Sequence, residues 1–583
     1  MEKEIKLFHK ISFIFLIVVS TCIVVFLRFY ALGSIPKGIN VDEASYGYDA
    51  YSLLKTGKDM WGSRGTTLKS FGDYKPAGLS YTLVPLVKHF GLSTLTTRLP
   101  SAIFGFLTLI VTFFIVQTLT SNHVVAFISS IVLGLSPWHF GLSRLFYEPN
   151  IGLFFISCSI YFQLQYLKNN HKIKYLIISS IFVAIAGYYY SVLRYIGVGT
   201  LGIAVLVGGF HAYKQILKHC LIFGIVWALV ALPYLGDMFG VRGLVRLSQE
   251  GKLQEFGNVL VITENRQMCY ISSEHNSLIA QLCYALWNKP GEKLVNATRT
   301  YIELLSPKYL FLNGYQKDVV PANNGAYIAS LLPFFLVGIY IVLLRFKKNI
   351  LFKYVLVSTL FAIIPVALAG AQNIHRNVVG LYLVLMIIMI GVNETLCLMR
   401  NKSWKFALYP LILIIMWSQS RYLANYYYIF TRVQPEIWSS DTPDLMSWLG
   451  DHAREQEISF YDYDFGPLYY SFYNKLDPTS FQKNAVWDEL NQYGWTRIHS
   501  ITGKLTNDDN IWRNICAQSN PSRSSHLLVI TGSKSEWQEV AQFQTKNFTG
   551  IHILHEVYDS KILYDYLNKK DSVALTTTCS SQK

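Results

Sequence analysis

The chain has 583 residues, of which 52% are hydrophobic, 15% are aromatic and only 15% are charged. An ordinary soluble domain carries about 25% charged residues, so this composition excludes a purely soluble protein and predicts a mostly α-helical protein in the lipid bilayer. The formal net charge of +15 could indicate nucleic acid binding if it were clustered on a soluble face. Much of it lies in short loops between apolar runs, which excludes nucleic acid as a partner.

About eleven apolar stretches approach the roughly 20 residues that cross a hydrocarbon core. Four basic loops separate them, and the positive-inside rule places these loops in the cytoplasm. The amino terminus is then cytoplasmic and the long carboxy-terminal tail lies outside a multi-pass plasma-membrane protein. The basic loops are residues 168–174, 214–219, 345–348 and 400–405. The predicted spans are residues 11–30, 99–119, 124–140, 149–167, 174–190, 195–211, 220–236, 326–344, 351–370, 377–397 and 405–425.

The sequence outside the spans predicts two loops and one further domain. Residues 1–425 form the membrane domain, with long extracytoplasmic loops at 31–98 and 237–325. The apolar segment 76–90 contains Pro85 and Lys88, so we expect a helix in the outer interface instead of another span. Residues 426–583 predict a small extracytoplasmic α/β domain, because the β-rich runs EISFYDY, SHLLVIT and IHILHEV alternate with helical material.

Four of the eight cysteines fall outside the predicted spans, on a face where thiols are oxidised. They could form two disulfides, of which the pair Cys269 and Cys283 is the better local candidate. The other two are Cys516 and Cys579.

An acidic pair, Asp42 and Glu43 in the run VDEASY, follows the first span by about ten residues. Charges beside hydrocarbon are costly and are often kept for a function, which indicates an enzyme at the membrane surface. The pair could equally cap a juxtamembrane helix, because the helix dipole favours negative charge at that end.

Three further charged clusters fall at the outer ends of the spans. A cavity that combined them would hold carboxylates to orient an acceptor and cations to bind a leaving phosphate. Alternatively, a lone basic residue can extend to the lipid headgroups, Glu148 can cap a helix, and either histidine can belong to an ordinary polar loop. The clusters are Asp73 and Lys75 in FGDYKPAG, His139, Arg144 and Glu148 in SPWHFGLSRLFYEPN, and His375 and Arg376 in NIHRN.

The ordered set VDEASY, YKP and SPWHFGLSRLFYEP resembles the GT-C superfamily of lipid-linked sugar transferases. The resemblance covers about residues 10–240 and is greatest to the protein O-mannosyltransferases and the aminoarabinose lipid A transferase. It implies an integral-membrane glycosyltransferase that moves a monosaccharide from a polyprenyl-phosphate carrier to an acceptor on the outer face, with inversion. The acceptor could be a protein, a glycan or a lipid.

The resemblance also implies roles for individual residues. Asp42, Glu43 and Glu148 take the catalytic carboxylate positions, and Lys75, Arg144 and Arg376 take the positions that bind the donor phosphate. Asp73, His139 and His375 could contact the substrate or a metal; a divalent metal stays open, and no other cofactor is predicted.

Two departures limit this transfer of roles. The aminoarabinose branch has a Glu where this chain has Tyr74, and an Arg where it has Tyr51. These departures put the metal and lipid A contacts of that branch in doubt for this chain.

A transporter or flippase of lipid-linked sugars is the alternative function, since it would need a similar charged cavity. Transporters place their ionisable residues at mid-membrane on broken helices. Here the charges gather at the ends of spans, and no internal repeat is visible, which favours the enzyme.

Overall fold

The computed structural model describes most of the chain. The described residues are 2–71, 74–208, 213–240, 259, 261–272, 277–314, 319–321, 323–370, 373–399, 408–433, 439–453, 456–461, 463, 465–484, 486–487, 498–501, 505–507, 510–520, 523–532, 534–546 and 553–582. The predicted basic loop at 400–405 and Asp73 therefore lie outside the described residues.

Every predicted span falls on a helix, because long apolar runs in these positions bury their backbone polar groups in intrahelical hydrogen bonds. Asparagines cap the amino-terminal ends of two of these helices. Asn122 accepts a hydrogen bond from Val124 N at 3.0 Å, and Asn349 accepts one from Leu351 N at 3.0 Å. The helices are Glu2–Phe29, Thr94–Thr120, His123–Leu135, Glu148–Lys168, Ile173–Ala186, Ser191–Val207, Tyr213–Phe239, Leu332–Leu344, Ile350–Leu368, Val378–Met399 and Leu408–Ala424.

Within the described part of the chain, four helices are long and apolar enough to cross a membrane: Thr94–Thr120, Tyr213–Asp237, Ile350–Leu368 and Val378–Met399. A fifth crossing is formed if His123–Leu135 and the short helix Pro137–Ser143, bent by 63° from it, are taken as one span. Several other apolar helices are shorter, so the number of eleven spans stays a prediction. The interfacial position of residues 76–90, which form the helix Gly78–Phe90, also stays a prediction.

The chain divides into two compact units. The first contains Met1–Tyr30, Pro76–Leu79 and Leu99–Asn425. It includes most of the apolar helices and, in addition, the helices Ser277–Leu286 and Lys289–Leu305. The second unit contains Ala31–Lys75, Ser80–Arg98 and Tyr426–Lys583.

The second unit differs from the predicted grouping, which placed residues 31–98 in the membrane domain. Here residues 31–75 and 80–98 group with the carboxy-terminal residues: the side-chain amide of Gln482 donates to Ser52 Oγ at 3.0 Å, to Thr56 Oγ1 at 2.9 Å and to Asp59 O at 2.8 Å. Tyr48 adds a hydrogen bond from its hydroxyl to the carbonyl of a residue more than 400 positions away. Such long-range contacts leave no local signal in the sequence.

A mixed seven-stranded sheet forms the core of the carboxy-terminal part of the second unit. Strand Glu457–Tyr461 is at its centre and pairs in parallel with both neighbours, Leu505–Asn507 and His526–Thr531. The outer pairings are antiparallel. In spatial order, the strands are Val486–Trp487, Ile498–Ile501, Leu505–Asn507, Glu457–Tyr461, His526–Thr531, Ile553–Asp559 and Phe543–Lys546.

Helices accompany this sheet, so the predicted α/β character is confirmed. The three β-rich runs of the sequence each form a strand. The helices are Thr442–His452, Gly466–Tyr473, Pro478–Asn484, Ile511–Ala517, Ser560–Lys570 and Ser572–Ser581. Both candidate disulfides are present, Cys269 with Cys283 and Cys516 with Cys579.

Candidate active site

The acidic pair lies in the first turn of the helix Val41–Thr56. Asn40 caps this helix: its side-chain oxygen accepts from Glu43 N at 2.8 Å, and its own N–H donates to Glu43 Oε2 at 3.3 Å. This reciprocal arrangement is a capping box. The capping interpretation of the sequence is therefore correct for Glu43.

Glu43 also forms a buried ion pair with Arg98. The Arg98 guanidinium donates to Oε1 at 2.9 Å and to Oε2 at 3.0 Å, and both side chains are completely buried. Arg98 donates further to the carbonyls of Leu32, Pro36 and Gly38, at 3.3, 2.8 and 2.8 Å. Glu43 and Arg98 thus fix the segment before the helix against the helix start.

Sequence reasoning missed Arg98. It stands in the run TTRLP at the start of an apolar helix, where a cation needs a carboxylate partner because burying it alone is costly. That requirement is the signal that could have identified it.

Asp42 points to a different partner, Lys75. The two form an ion pair between Asp42 Oδ1 and Lys75 Nζ, in which the Asp42 side chain is 41% exposed and the Lys75 side chain 10%. Lys75 Nζ lies 5.1 Å from the ring centroid of Tyr46 and 5.9 Å from that of Phe71, so aromatic faces help to hold the cation. The pair therefore combines a solvent-accessible carboxylate with a cation in a mostly buried position.

Local structure explains why Lys75 is held in place. It is the middle residue of the short strand Tyr74–Pro76, which pairs with Thr67–Lys69 in a two-stranded sheet. The strand fixes where the side chain starts, and the pair with Asp42 and the rings of Tyr46 and Phe71 hold the ammonium group at its end.

A third carboxyl on the same helix, Asp49, was not predicted. Asp42, Tyr46 and Asp49 have the i, i+4, i+7 spacing that puts side chains on one helix face. Asp49 is 3% exposed, and its Oδ1 accepts from Met60 N at 3.0 Å. Burial raises the pKa of Asp49 well above its usual range; the charge of Asp59 adds to the rise, and the charge of Lys75 opposes it. Asp49 is thus a buried acid close enough to Lys75 to interact electrostatically.

In the first unit, two of the predicted clusters come together. Glu148 is the first residue of the helix Glu148–Lys168 and is 9% exposed. The neighbouring Tyr147 stacks its ring on that of His375, with the centroids 6.1 Å apart and the planes at 13°. Arg376 is half-buried in the same turn, and its backbone N–H donates to Asn373 O at 3.2 Å.

Arg144 and His139 are completely buried in the first unit. The Arg144 guanidinium donates to the carbonyls of Leu27 and Arg28 at 2.8 and 3.0 Å. The Arg28 guanidinium contacts His139 Nδ1 at 3.3 Å, and a guanidinium can only donate. These contacts join the end of the first helix to the segment 137–144, and a role in phosphate binding stays a prediction for Arg144.

Asp73, the remaining predicted residue, lies outside the described residues. Among the residues that the structure describes, no three His, Cys, Asp or Glu side chains come together as a metal site requires.

Residues 75–235 match the family model of dolichyl-phosphate-mannose-protein mannosyltransferase. The match begins at Lys75 and includes Arg144 and Glu148. Over this segment, which is less than half of the chain, the match confirms the resemblance to the GT-C superfamily of glycosyltransferases. Within the class, the matched segment has the sequence pattern of the protein mannosyltransferases.

Three solved structures are similar to this chain at low identity. ArnT from Cupriavidus metallidurans in the apo state is 12% identical, with 95% of this chain and 99% of that chain covered and a TM-score of 0.42. The oligosaccharyltransferase AglB from Archaeoglobus fulgidus, in complex with an inhibitory peptide and a dolichol-phosphate, is 13% identical over 80% and 64%, with a TM-score of 0.47. The S. cerevisiae Pmt1-Pmt2 complex bound to the sugar donor is 18% identical over 37% and 32%, with a TM-score of 0.31. A search of curated protein sequences finds no match.

Proposed function

We propose that this protein transfers a monosaccharide from a polyprenyl-phosphate carrier to an acceptor on the outer face of the plasma membrane, with inversion at the anomeric carbon. The observation that carries the proposal is the ion pair between Asp42 and Lys75. It places a carboxylate and a cation side by side at the first residue of the segment that matches a family of lipid-phosphate-sugar transferases.

In the proposed reaction, Asp42 accepts the proton of an acceptor hydroxyl while the hydroxyl oxygen attacks the anomeric carbon of the donor. The bond between that carbon and the phosphate oxygen breaks, and its electron pair leaves with the polyprenyl phosphate. Lys75 stabilises the negative charge that develops on the leaving phosphate. A direct displacement of this kind inverts the anomeric centre, and general base catalysis by a positioned carboxylate contributes about 100-fold to 10,000-fold.

The other predicted residues take supporting roles in the proposal. Glu43 is a positioning residue, because its cap and its pair with Arg98 define where Asp42 lies. Glu148 is proposed as a second acidic residue, and Arg376 and Arg144 as donor-phosphate contacts. His139, His375 and Asp73 are proposed to contact substrate. Residues 426–583 are proposed to be outside the cell, with the amino terminus in the cytoplasm.

The proposal is tested with the purified full chain in lipid nanodiscs. A synthetic polyprenyl-phosphate mannose and a panel of protein, glycan and lipid acceptors are supplied, and both products are measured. The expected result is free polyprenyl phosphate in equal amount to a glycosylated acceptor, whose anomeric configuration is opposite to that of the donor by NMR. A flippase would move the intact donor between leaflets and release no polyprenyl phosphate, and that outcome would overturn the proposal.

The natural sugar and acceptor are identified by deleting the gene and comparing lipid-linked and surface glycans. The proposal expects an accumulated polyprenyl-phosphate sugar together with the loss of one surface glycan. Unchanged lipid-linked sugars and unchanged surface glycans would contradict it.

A further inference from the structure

A separate pocket of about 330 Å³ lies in the second unit. This volume is at the lower end of the range for small-molecule sites, which is about 300–1,000 Å³, and it suits a single sugar ring with one substituent. Residues from the segment before the acidic pair and from three carboxy-terminal segments line it together. Those used below are Lys37, Arg432, Asp441, Asp444, Phe543 and Lys546.

The pocket lining carries three cationic side chains and two carboxylates. Lys37 pairs with Asp444 at 2.5 Å, and both side chains are more than half exposed. Arg432 and Lys546 are exposed cations at the same pocket. Ammonium and guanidinium groups bind phosphate and carboxylate through charge-assisted hydrogen bonds, so the lining favours an anionic ligand.

The remaining carboxylate, Asp441, is buried and hydrogen-bonded to protein groups, so a ligand meets it less directly than it meets the exposed cations. Its Oδ2 accepts from Thr545 Oγ1 at 2.6 Å and contacts His555 Nδ1 at 2.5 Å. Burial alone would raise the pKa of Asp441, but the hydrogen bonds from His555 and Thr545 and the His555 charge hold it below its usual range. Asp441 therefore stays an ionised hydrogen-bond acceptor in the pocket lining.

An aromatic surface forms another part of the lining. The half-buried ring of Phe543 stacks on Trp448 with the centroids 5.1 Å apart and the planes at 14°. Trp448 in turn stacks on His452 at 4.4 Å. Such a fixed ring offers an apolar face to the C–H face of a sugar, while Ser440 and Gln544 in the lining offer partners for its hydroxyls.

We propose that this pocket binds an anionic sugar, a hexose that carries a phosphate or a carboxylate group, and that it recognises such a sugar in the acceptor. The assignment to the acceptor rests on the proposed function, whereas the binding site itself does not. A glycosyltransferase that recognises an acidic sugar away from its reacting groups selects one class of acceptor without altering the chemical step.

Binding is measured by titration calorimetry on the purified full chain, without a donor. The probes are glucose 6-phosphate, glucuronate, glucose and inorganic phosphate. We expect at least one of the two anionic sugars to bind with a Kd of about 1 mM or less and to bind more weakly as the salt concentration rises. We expect glucose and inorganic phosphate each to bind at least tenfold more weakly. Equal binding of glucose, equal binding of inorganic phosphate, or no binding of either anionic sugar would overturn the proposal.

Three substitutions test whether the anionic sugar binds in this pocket. Lys546→Gln should weaken it by about threefold to tenfold, whereas Lys569→Gln, the same change on the exposed surface of the helix Ser560–Lys570, should leave it unchanged. Asp444→Asn should strengthen binding, because it removes the negative partner of Lys37. Equal affinities for Lys546→Gln, Asp444→Asn and the parent would place the ligand elsewhere.

Because transfer is assayed separately, the two proposals fail separately. If no anionic sugar binds and transfer is observed, only the proposed role of the pocket is refuted. If an anionic sugar binds and no lipid-linked sugar is transferred, only the proposed reaction is refuted.

Discussion

Asp42 and Glu43 offer a matched test, because Asp42→Asn and Glu43→Gln make the same chemical change at neighbouring residues of one helical turn. Each replaces a carboxylate oxygen by an amide nitrogen and removes one negative charge. The structure predicts opposite consequences: Asp42→Asn should lower the transfer rate by orders of magnitude and leave the protein folded, whereas Glu43→Gln should destabilise the fold.

The magnitudes follow from exposure. The Asp42 side chain is 41% exposed and the Lys75 side chain 10%, so the free energy of unfolding should fall by more than the about 0–1 kcal/mol of a surface pair and by less than the about 3–5 kcal/mol of a fully buried one. Loss of a general base lowers the rate by about 100-fold to 10,000-fold, which corresponds to a barrier about 2.7–5.4 kcal/mol higher.

Glu43 and Arg98 are both completely buried. Removing the charge of Glu43 leaves the Arg98 guanidinium uncompensated, which costs about 3–5 kcal/mol. Whole domains are stable by only about 5–15 kcal/mol, so thermal unfolding should begin at a clearly lower temperature. The double variant Glu43→Gln, Arg98→Met removes both charges and should regain part of this loss.

The assay combines the unfolding temperature of the purified protein, followed by intrinsic tryptophan fluorescence, with the transfer rate per folded molecule. The reasoning is refuted if Asp42→Asn transfers sugar at the parental rate. It is refuted equally if Glu43→Gln unfolds at the parental temperature, since the buried ion pair would then have no structural role.

Three further predictions follow from single contacts. Lys75→Met should lower the rate of the donor step by about 100-fold to 1,000-fold without changing acceptor KM, and unchanged kinetics with varied donor would exclude Lys75 from phosphate binding. Cys516→Ser should lower the free energy of unfolding by about 4 kcal/mol, because the bridge to Cys579 closes a loop of 63 residues; Cys579→Ser should reproduce the change. Asp49→Asn should become more stable relative to the parent as the pH rises above 3.8. The reason is that the raised pKa of Asp49 makes its ionisation favour the unfolded state. A difference in unfolding temperature between variant and parent that stays constant from pH 4 to 8 would contradict this.

The positions of the helices were predictable from sequence because a membrane-spanning segment needs a long apolar run, and such runs are local. The strands Glu457–Tyr461, His526–Thr531 and Ile553–Asp559 were predictable for a similar reason. The packing of residues 31–75 with the carboxy-terminal residues was not. It depends on hydrogen bonds such as those from Gln482 to Ser52, between residues 430 positions apart.

For the candidate site, the sequence identified Asp42 and Lys75 as residues of interest but could not pair them, because 33 residues separate them. The sequence alone could have distinguished the role of Glu43 from that of Asp42. Asn40-x-x-Glu43 has the spacing of a capping box, which turns the third helical residue back onto the cap. Successive residues of a helix point about 100° apart, so the carboxylate of Asp42 cannot share that direction. The residue that completes the cap is therefore the one committed to structure, and its neighbour Asp42 is left to form the partly exposed pair with Lys75.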